Sequence, residues 1–106
     1  MTFDELLSKV RKVAGEMDIS GTDSLAVQVN ITEPESGVLY VEIKDGKVTV
    51  EPYEYNDRDC AVTMKMKDFD KLIDGDLNPI LAFTTGKLKV DGDIGKALEF
   101  SKLLKK

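Results

Sequence analysis

The residue types that perform most protein chemistry are missing here or badly spaced for it. The chain has no histidine among its 106 residues. That removes the usual general base near neutral pH, Ser-His-acid and Cys-His nucleophiles, and most zinc sites. Cys60 is the single cysteine, at the head of the alternating run Cys60, Val62, Met64, with Arg58 its one basic neighbour. A thiol becomes a nucleophile where positive charge lowers its pKa, so Cys60 is expected to be a buried, inert thiol. One cysteine also allows no internal disulfide and implies no oxidising compartment. Carboxylates are plentiful, but none falls inside an otherwise apolar helical face, where burial would raise its pKa toward a catalytic value. Asp74-Gly75-Asp76 and Asp91-Gly92-Asp93 invite a calcium reading, yet each lacks the twelve-residue ligand pattern and terminal Glu of an EF-hand. Turn chemistry accounts for both. No Gly-x-x-x-x-Gly-Lys-[Ser/Thr] spacing is present to cradle phosphate. The residues therefore predict no catalysis, no cofactor and no metal.

The elements are easier to read than any site. Phe3, Leu6, Leu7, Val10, Ala14 and Met17 form one apolar helical stripe, and Thr2 with Glu5 fits a capping box. Asp18 to Asp23 reads as the loop that follows. Leu25, Val27, Val29 and Ile31 alternate with polar or small residues as in a half-buried strand. After the turn Pro34-Glu35-Ser36-Gly37, Leu39, Val41 and Ile43 alternate in the same way. Asp45-Gly46 is a hairpin signal, and Lys47 to Glu51 returns with Val48 and Val50 on one face. This makes a meander with one apolar and one wet face. Pro52 to Asp59 reads as a polar loop. Cys60 to Met66 reads as a fourth strand and Lys67 to Asp74 as a short helix stopped by Gly75. Asn78-Pro79 opens another helix that runs to Thr85, is too apolar for the surface, and is expected to press inward. Lys87 to Val90 reads as a fifth strand and Asp91-Gly92 as a turn. Asp93 caps a last helix whose stripe is Ile94, Ala97, Leu98, Phe100 and Leu104.

A chain of this length is expected to be one domain, residues 1–106. Its net charge of −5 argues against nucleic acid, which needs clustered cations. The local excess of Lys102, Lys105 and Lys106 is read as a helix end complementing its own dipole, with at most transient membrane contact. The acidic N-terminus lacks the pattern of a secretory signal, and no apolar run is long enough to span a bilayer. A cytoplasmic protein is expected.

From Asp59 onward the signals become an ordered series. Asp59-Cys60-Ala61-Val62-Thr63-Met64 enters a strand, and Asp68-Phe69 with Leu72 and Gly75 makes a short helix. Asn78-Pro79 and Ala82 then lead to Gly86-Lys87-Leu88-Lys89-Val90-Asp91-Gly92-Asp93, with Ala97 beyond. This order resembles the sterol carrier protein type 2 family, most specifically in the Gly-Lys-Leu stretch. Gly37, Tyr40 and the Asp45-Gly46 hairpin match more loosely. The resemblance implies an α+β fold: a three-strand antiparallel meander, a crossover placing the fourth strand beside the first, a fifth strand, and helices covering one face. It also implies an apolar tunnel between helices and sheet that takes fatty acid, fatty acyl-CoA, sterol or phospholipid without chemistry on them. Lys65 departs from the serine that caps the next helix in many members. The first helix is short for the family. The ending Leu104-Lys105-Lys106 is not a peroxisomal tripeptide, so the likeness is to a stand-alone bacterial-type member, which argues against sterol as the natural ligand.

The tunnel lining expected on this basis is Val27, Val29, Leu39, Val41 and Ile43 from the sheet. The helices would add Phe69, Leu72, Ile73, Ile80, Leu81, Phe83 and Leu98, with Met17, Met64 and Met66 as adaptable walls. Two other readings stand beside it. In one, the same fold serves as a protein-interaction module whose groove is filled by its own side chains, by a partner's helix or by a second subunit in a homodimer. In the other, it is an accessory domain that presents acyl-CoA to a separate enzyme.

Overall fold

Strand β1 (Leu25–Ile31) lies at the centre of the sheet and is buried at six of its seven positions. Its alternating Leu25, Val27, Val29 and Ile31 face the helices. Strand β2 (Gly37–Lys44) pairs with it antiparallel, placing Val41 opposite Val27 and Leu39 opposite Val29. The chain then turns through Asp45 and Gly46, both at positive φ (53° and 75°), into β3 (Lys47–Glu51). Two positive φ values match the twist of a right-handed hairpin. Strand β4 (Cys60–Met64) runs parallel to β1 on its other side, and β5 (Lys89–Gly92) closes the sheet antiparallel to β4. The order is β3-β2-β1-β4-β5, with the crossover where the resemblance placed it. The protein is seen as a computed structural model describing residues 1–104, so Lys105 and Lys106 lie outside the described residues.

One sheet face carries α1 (Phe3–Glu16), α2 (Met66–Asp74) and α4 (Ile94–Leu104). Helix α1 rests on β3 and against α2, whereas α4 rests on β1, β4 and β5. The capping box forms as read: Glu5 N–H donates to Thr2 Oγ1 (3.1 Å) and Thr2 N–H to Glu5 Oε1 (2.8 Å). These bonds hold the Glu5 carboxyl below its ordinary pKa. Lys9 of α1 binds Asp74 (2.8 Å) and Asp70 (2.5 Å) of α2. Partial burial opposes the Lys9 charge, but the two carboxylates outweigh it and raise its pKa.

The polar segment from 52 to 59 is a loop, and its course explains the opposite face. Parallel strands cannot be joined by a tight turn. The chain leaving β3 at one sheet edge must therefore cross under β2 and β1 to reach β4. Tyr55 tilts against Tyr40 of β2 with ring centroids 4.8 Å apart, and its hydroxyl donates to the Glu42 carboxylate. Its N–H donates to Gln28 Oε1 of β1 (3.0 Å), and Asp59 Oδ2 accepts from Ala26 N–H (2.8 Å). The face expected to be wet is thus partly roofed, and Ala26, Gln28 and Ala61 are buried there.

Several boundaries differ from the sequence reading. Strand β4 ends at Met64, and Met66 opens α2 instead of extending the strand, because Lys65 turns out as its cap and Met66 N–H donates to Glu33 O (2.9 Å). Asp91 and Gly92 belong to β5, not to a turn, because Asp93 N–H donates to Asp59 O (3.1 Å) and keeps the chain paired to the end of β4. Asp93 then caps α4 through Lys96 N–H (3.1 Å). On α4 the buried positions are Ala97, Phe100, Ser101 and Leu104, with Ile94 exposed.

The largest difference is α3 (Pro79–Thr84), which is not pressed inward. Asn78 caps it as expected, accepting from Ile80 and Leu81 N–H at 2.9 and 3.2 Å. Only Ala82 is buried. Its carbonyl accepts from both Lys87 and Leu88 N–H (2.9 and 3.0 Å), so backbone meets backbone at that point. Ala82 is the position of the helix turned inward, and Ile80, Leu81 and Phe83 face out. Leu88, 1% exposed, fills the core position instead.

Gly92 gives a direct check on this packing. Its φ is +103°, and a Cβ there would lie 2.8 Å from Asp59 O. Gly92→Ala is expected to cost about 1–3 kcal/mol from backbone strain alone, read as a lower urea midpoint. Gly15→Ala, in α1 with open space around its position, should instead stabilise by up to about 1 kcal/mol.

Candidate functional site

The region expected to hold a ligand is the interface between the helices and the sheet. Of the twelve residues expected to line it, Val27, Val29, Leu39, Val41, Phe69 and Ile73 are fully sealed, and Ile43 and Leu72 are 2% exposed. These eight share one continuous apolar cluster with Leu6 and Val10 of α1 and Phe100 and Leu104 of α4. Leu98 is half-buried. Ile80, Leu81 and Phe83 are 60, 59 and 37% exposed, on the outside of the molecule. Met64 and Met66 are buried within the cluster, and Met17 packs at its margin. The interface is therefore dry and, without a ligand, occupied by the protein's own side chains.

Depressions border the cluster at several places, and two of them flank the helical cover. The larger, about 630 Å³, lies between the end of α1 and β3 at the sheet edge. Ala14, Met17 and Ile19 form one wall, and Val48 and Val50 the other. Arg11 stands at its rim, where Nε donates to Val50 O (3.3 Å) and the guanidinium lies 3.8 Å from Glu51. The sequence reading had Met17 but missed Ile19 and Val48 as mouth residues. Their signal was faint: apolar residues in a loop and on an edge strand, half-buried and packed against the core. The smaller depression, about 340 Å³, lies at the opposite end, around the start of α2 and the chain after α3.

The titratable groups that stand out are not tuned for proton transfer near neutrality. Cys60 is 1% exposed; burial first, and the charges of Asp59 and Asp93 second, push its thiol up to about 11. The Tyr55 hydroxyl, donating to Glu42, is pushed up to about 12. One aspartate of each Asp-Gly-Asp segment is used structurally: Asp74 holds Lys9, and Asp93 caps α4.

A one-sided helical cover sealing aliphatic side chains against a five-stranded mixed sheet, with a groove at one edge, is an α+β fold of the sterol-carrier kind. The chain belongs to the SCP-2 sterol transfer family, which matches residues 3–105. This is a lipid-binding family and generally a non-catalytic one. The chain is 32% identical over 103 residues to Hydroxysteroid dehydrogenase-like protein 2 of Xenopus tropicalis, covering 96% of this chain and 24% of that protein. It is 41% identical over 63 residues to Sterol carrier protein 2 of Homo sapiens, covering 59% of this chain and 12% of the other. It thus spans a minor part of both relatives. Among solved structures, palmitated SCP2L2 from Aedes aegypti superposes with a TM-score of 0.72 at 19% identity, over 98% of this chain and 95% of that one.

The state of Cys60 can be measured. In the folded protein it should resist a thiol-reactive dye at mildly alkaline pH and react fully once urea unfolds the chain. The folded state keeps the thiol proton to higher pH than the unfolded state. The sign follows: Cys60 leaves stability intact below about pH 9, the unfolded value, and removes it as pH rises toward about 11. Cys60→Ala should flatten that alkaline loss in urea melts. An unchanged slope would contradict the assignment.

Proposed function

We propose that the protein binds the acyl chain of a long-chain lipid (a fatty acid, fatty acyl-CoA or phospholipid) between its helices and its sheet, and carries or presents it without chemistry on it. The observation that carries this reading is the sealed aliphatic interface, bordered at the α1–β3 edge by an open groove of about 630 Å³ whose walls include Ala14, Met17, Ile19, Val48 and Val50. That volume falls within the roughly 300–1,000 Å³ range of small-molecule pockets. A tail entering there would part α1 from β3 and slide among Val41, Ile43, Phe69 and Ile73, while its headgroup stays in water near Arg11. Met17, Met64 and Met66 suit such a path, because an unbranched thioether changes rotamer at low cost and packs against irregular shapes. The palmitated Aedes aegypti protein of similar fold supports an acyl chain as the ligand class. A sixteen-carbon chain would gain about 12 kcal/mol from leaving water at ~0.8 kcal/mol per methylene. The smallest loss of freedom on binding, about 4 kcal/mol, leaves about 8 kcal/mol, which corresponds to micromolar affinity without a polar anchor.

Protein purified from cells, denatured and extracted, should release long-chain lipid detectable by mass spectrometry. Delipidated protein should take up a fluorescent fatty acid and melt at higher temperature with it, since a ligand at 100 times its Kd adds about 2.7 kcal/mol. Met17→Glu and Val48→Glu place carboxylates in the mouth at half-buried positions. Each should weaken uptake about tenfold or more, equivalent to roughly 1.4 kcal/mol, with little change in the melting temperature of the empty protein. No extracted lipid together with no uptake would remove the proposal.

A further inference from the structure

We infer that α3 and the depression beside it form one docking surface for an anionic phospholipid bilayer, a role that goes beyond holding a lipid inside. In a chain of net charge −5 with 15 basic residues, five lysines line this one depression: Lys65, Lys67, Lys71, Lys87 and Lys89. Asp68, 6% exposed, is the single carboxylate among the lining residues. Lys65 lies 3.6 Å from Glu33, and the other four lysines make no ion pair among the described residues. The depression sits at the carboxyl ends of the parallel pair β1 and β4, where Thr32 and Thr63 border it. Helix α2 starts there with no side-chain cap on its first turn, so its dipole adds to the positive potential.

The apolar half of the surface comes from α3. Thr85 and Gly86, which follow the helix, also line the depression. Leu81 and Thr85 share a helical face, as the bond from Thr85 Oγ1 to Leu81 O (2.8 Å) shows. Leu81 thus lies one turn before Thr85, which lines the depression, and Leu81, Ile80 and Phe83 are all exposed. Large apolar side chains bordered by unpaired lysines match a negatively charged leaflet: the lysines meet lipid phosphates while Ile80, Leu81 and Phe83 enter the acyl boundary. A soluble phosphate compound would use the lysines but leave the apolar trio in water. A second copy of the chain would bring its own lysines against these. The bilayer satisfies both halves at once.

Co-sedimentation with vesicles tests this directly. The protein should bind vesicles of phosphatidylcholine mixed with phosphatidylglycerol, release with added salt, and bind poorly to phosphatidylcholine alone. Paired Lys67→Glu and Lys87→Glu substitutions, and separately paired Leu81→Ser and Phe83→Ser, should each lower partitioning about tenfold or more, by loss of surface charge in one case and of inserted apolar area in the other. All four positions are exposed, so both variants should melt like the wild type. Paired Lys44→Glu and Lys47→Glu at the hairpin, also exposed, should bind as the wild type does. Equal binding to both vesicle types, or equal losses from the hairpin variant, would overturn the inference. So would a loss confined to the lysine variant, which would leave only an anion site. A dimer in sedimentation abolished by Leu81→Ser and Phe83→Ser would assign α3 to a second copy and overturn it too. Uptake of fluorescent fatty acid without vesicles reports on the internal site alone, so failure of one reading is distinguishable from failure of the other.

Discussion

The parallel pairing of β1 with β4 is the constraint from which the rest of the architecture follows. With Val27 level with Cys60 and Val29 with Val62, the chain between them has to leave one sheet edge and return to the middle. It does so along the face away from the helices, where Tyr40, Glu42, Gln28 and Ala26 receive it in turn. The helices are left with the other face. A parallel pair also puts two carboxyl ends side by side, and helix α2 starts at that end directly after β4. The mixed sheet and its one-sided cover thus share a single origin.

The cover is bound unevenly. Helix α4 lies over β1, β4 and β5, the half of the sheet that contains the parallel pair, and Phe100 and Leu104 are completely inside. Helix α1 lies over the edge strand β3 and is tied to α2 by Lys9 at partly exposed sites. Ion pairs so exposed contribute between about 0 and 1 kcal/mol, far less than a buried aromatic. Helix α1 is held mainly by its buried Leu6, Leu7, Val10, Val13 and Ala14, and the groove lies where it meets the edge strand β3.

Much of the fold was legible because periodic burial leaves a plain trace. The stripes of α1 and the alternation of β1 to β4 translate directly into inward faces, and the caps at Thr2, Asn78 and Asp93 formed as their residue types dictate. What the sequence did not disclose were features set by distant partners. The run Ile80-Leu81-Ala82-Phe83 is apolar at every position, so periodicity could not choose a face. The chain that follows folds back so that the Lys87 and Leu88 amides bond the Ala82 carbonyl, and in that arrangement Ala82 is the buried position. The path of residues 52 to 59 was hidden for the same reason, since Tyr55 finds its partners on two other strands. Eight of the expected lining residues share the sealed interface, because strand and helix patterns place them there. The groove residues Ile19 and Val48 belong to no strong pattern and emerge only from the packing of α1 against the hairpin.

The attachment of α3 has a consequence for how such a chain can diversify. Only the Ala82 side chain of this helix reaches the interior, so the other positions of the turn are nearly free of folding constraints. Substitutions there can accumulate without taxing the core, and each one redraws the chemistry that the molecule shows to its surroundings. Related chains could keep one interior while acquiring different destinations, simply by rewriting this short projection.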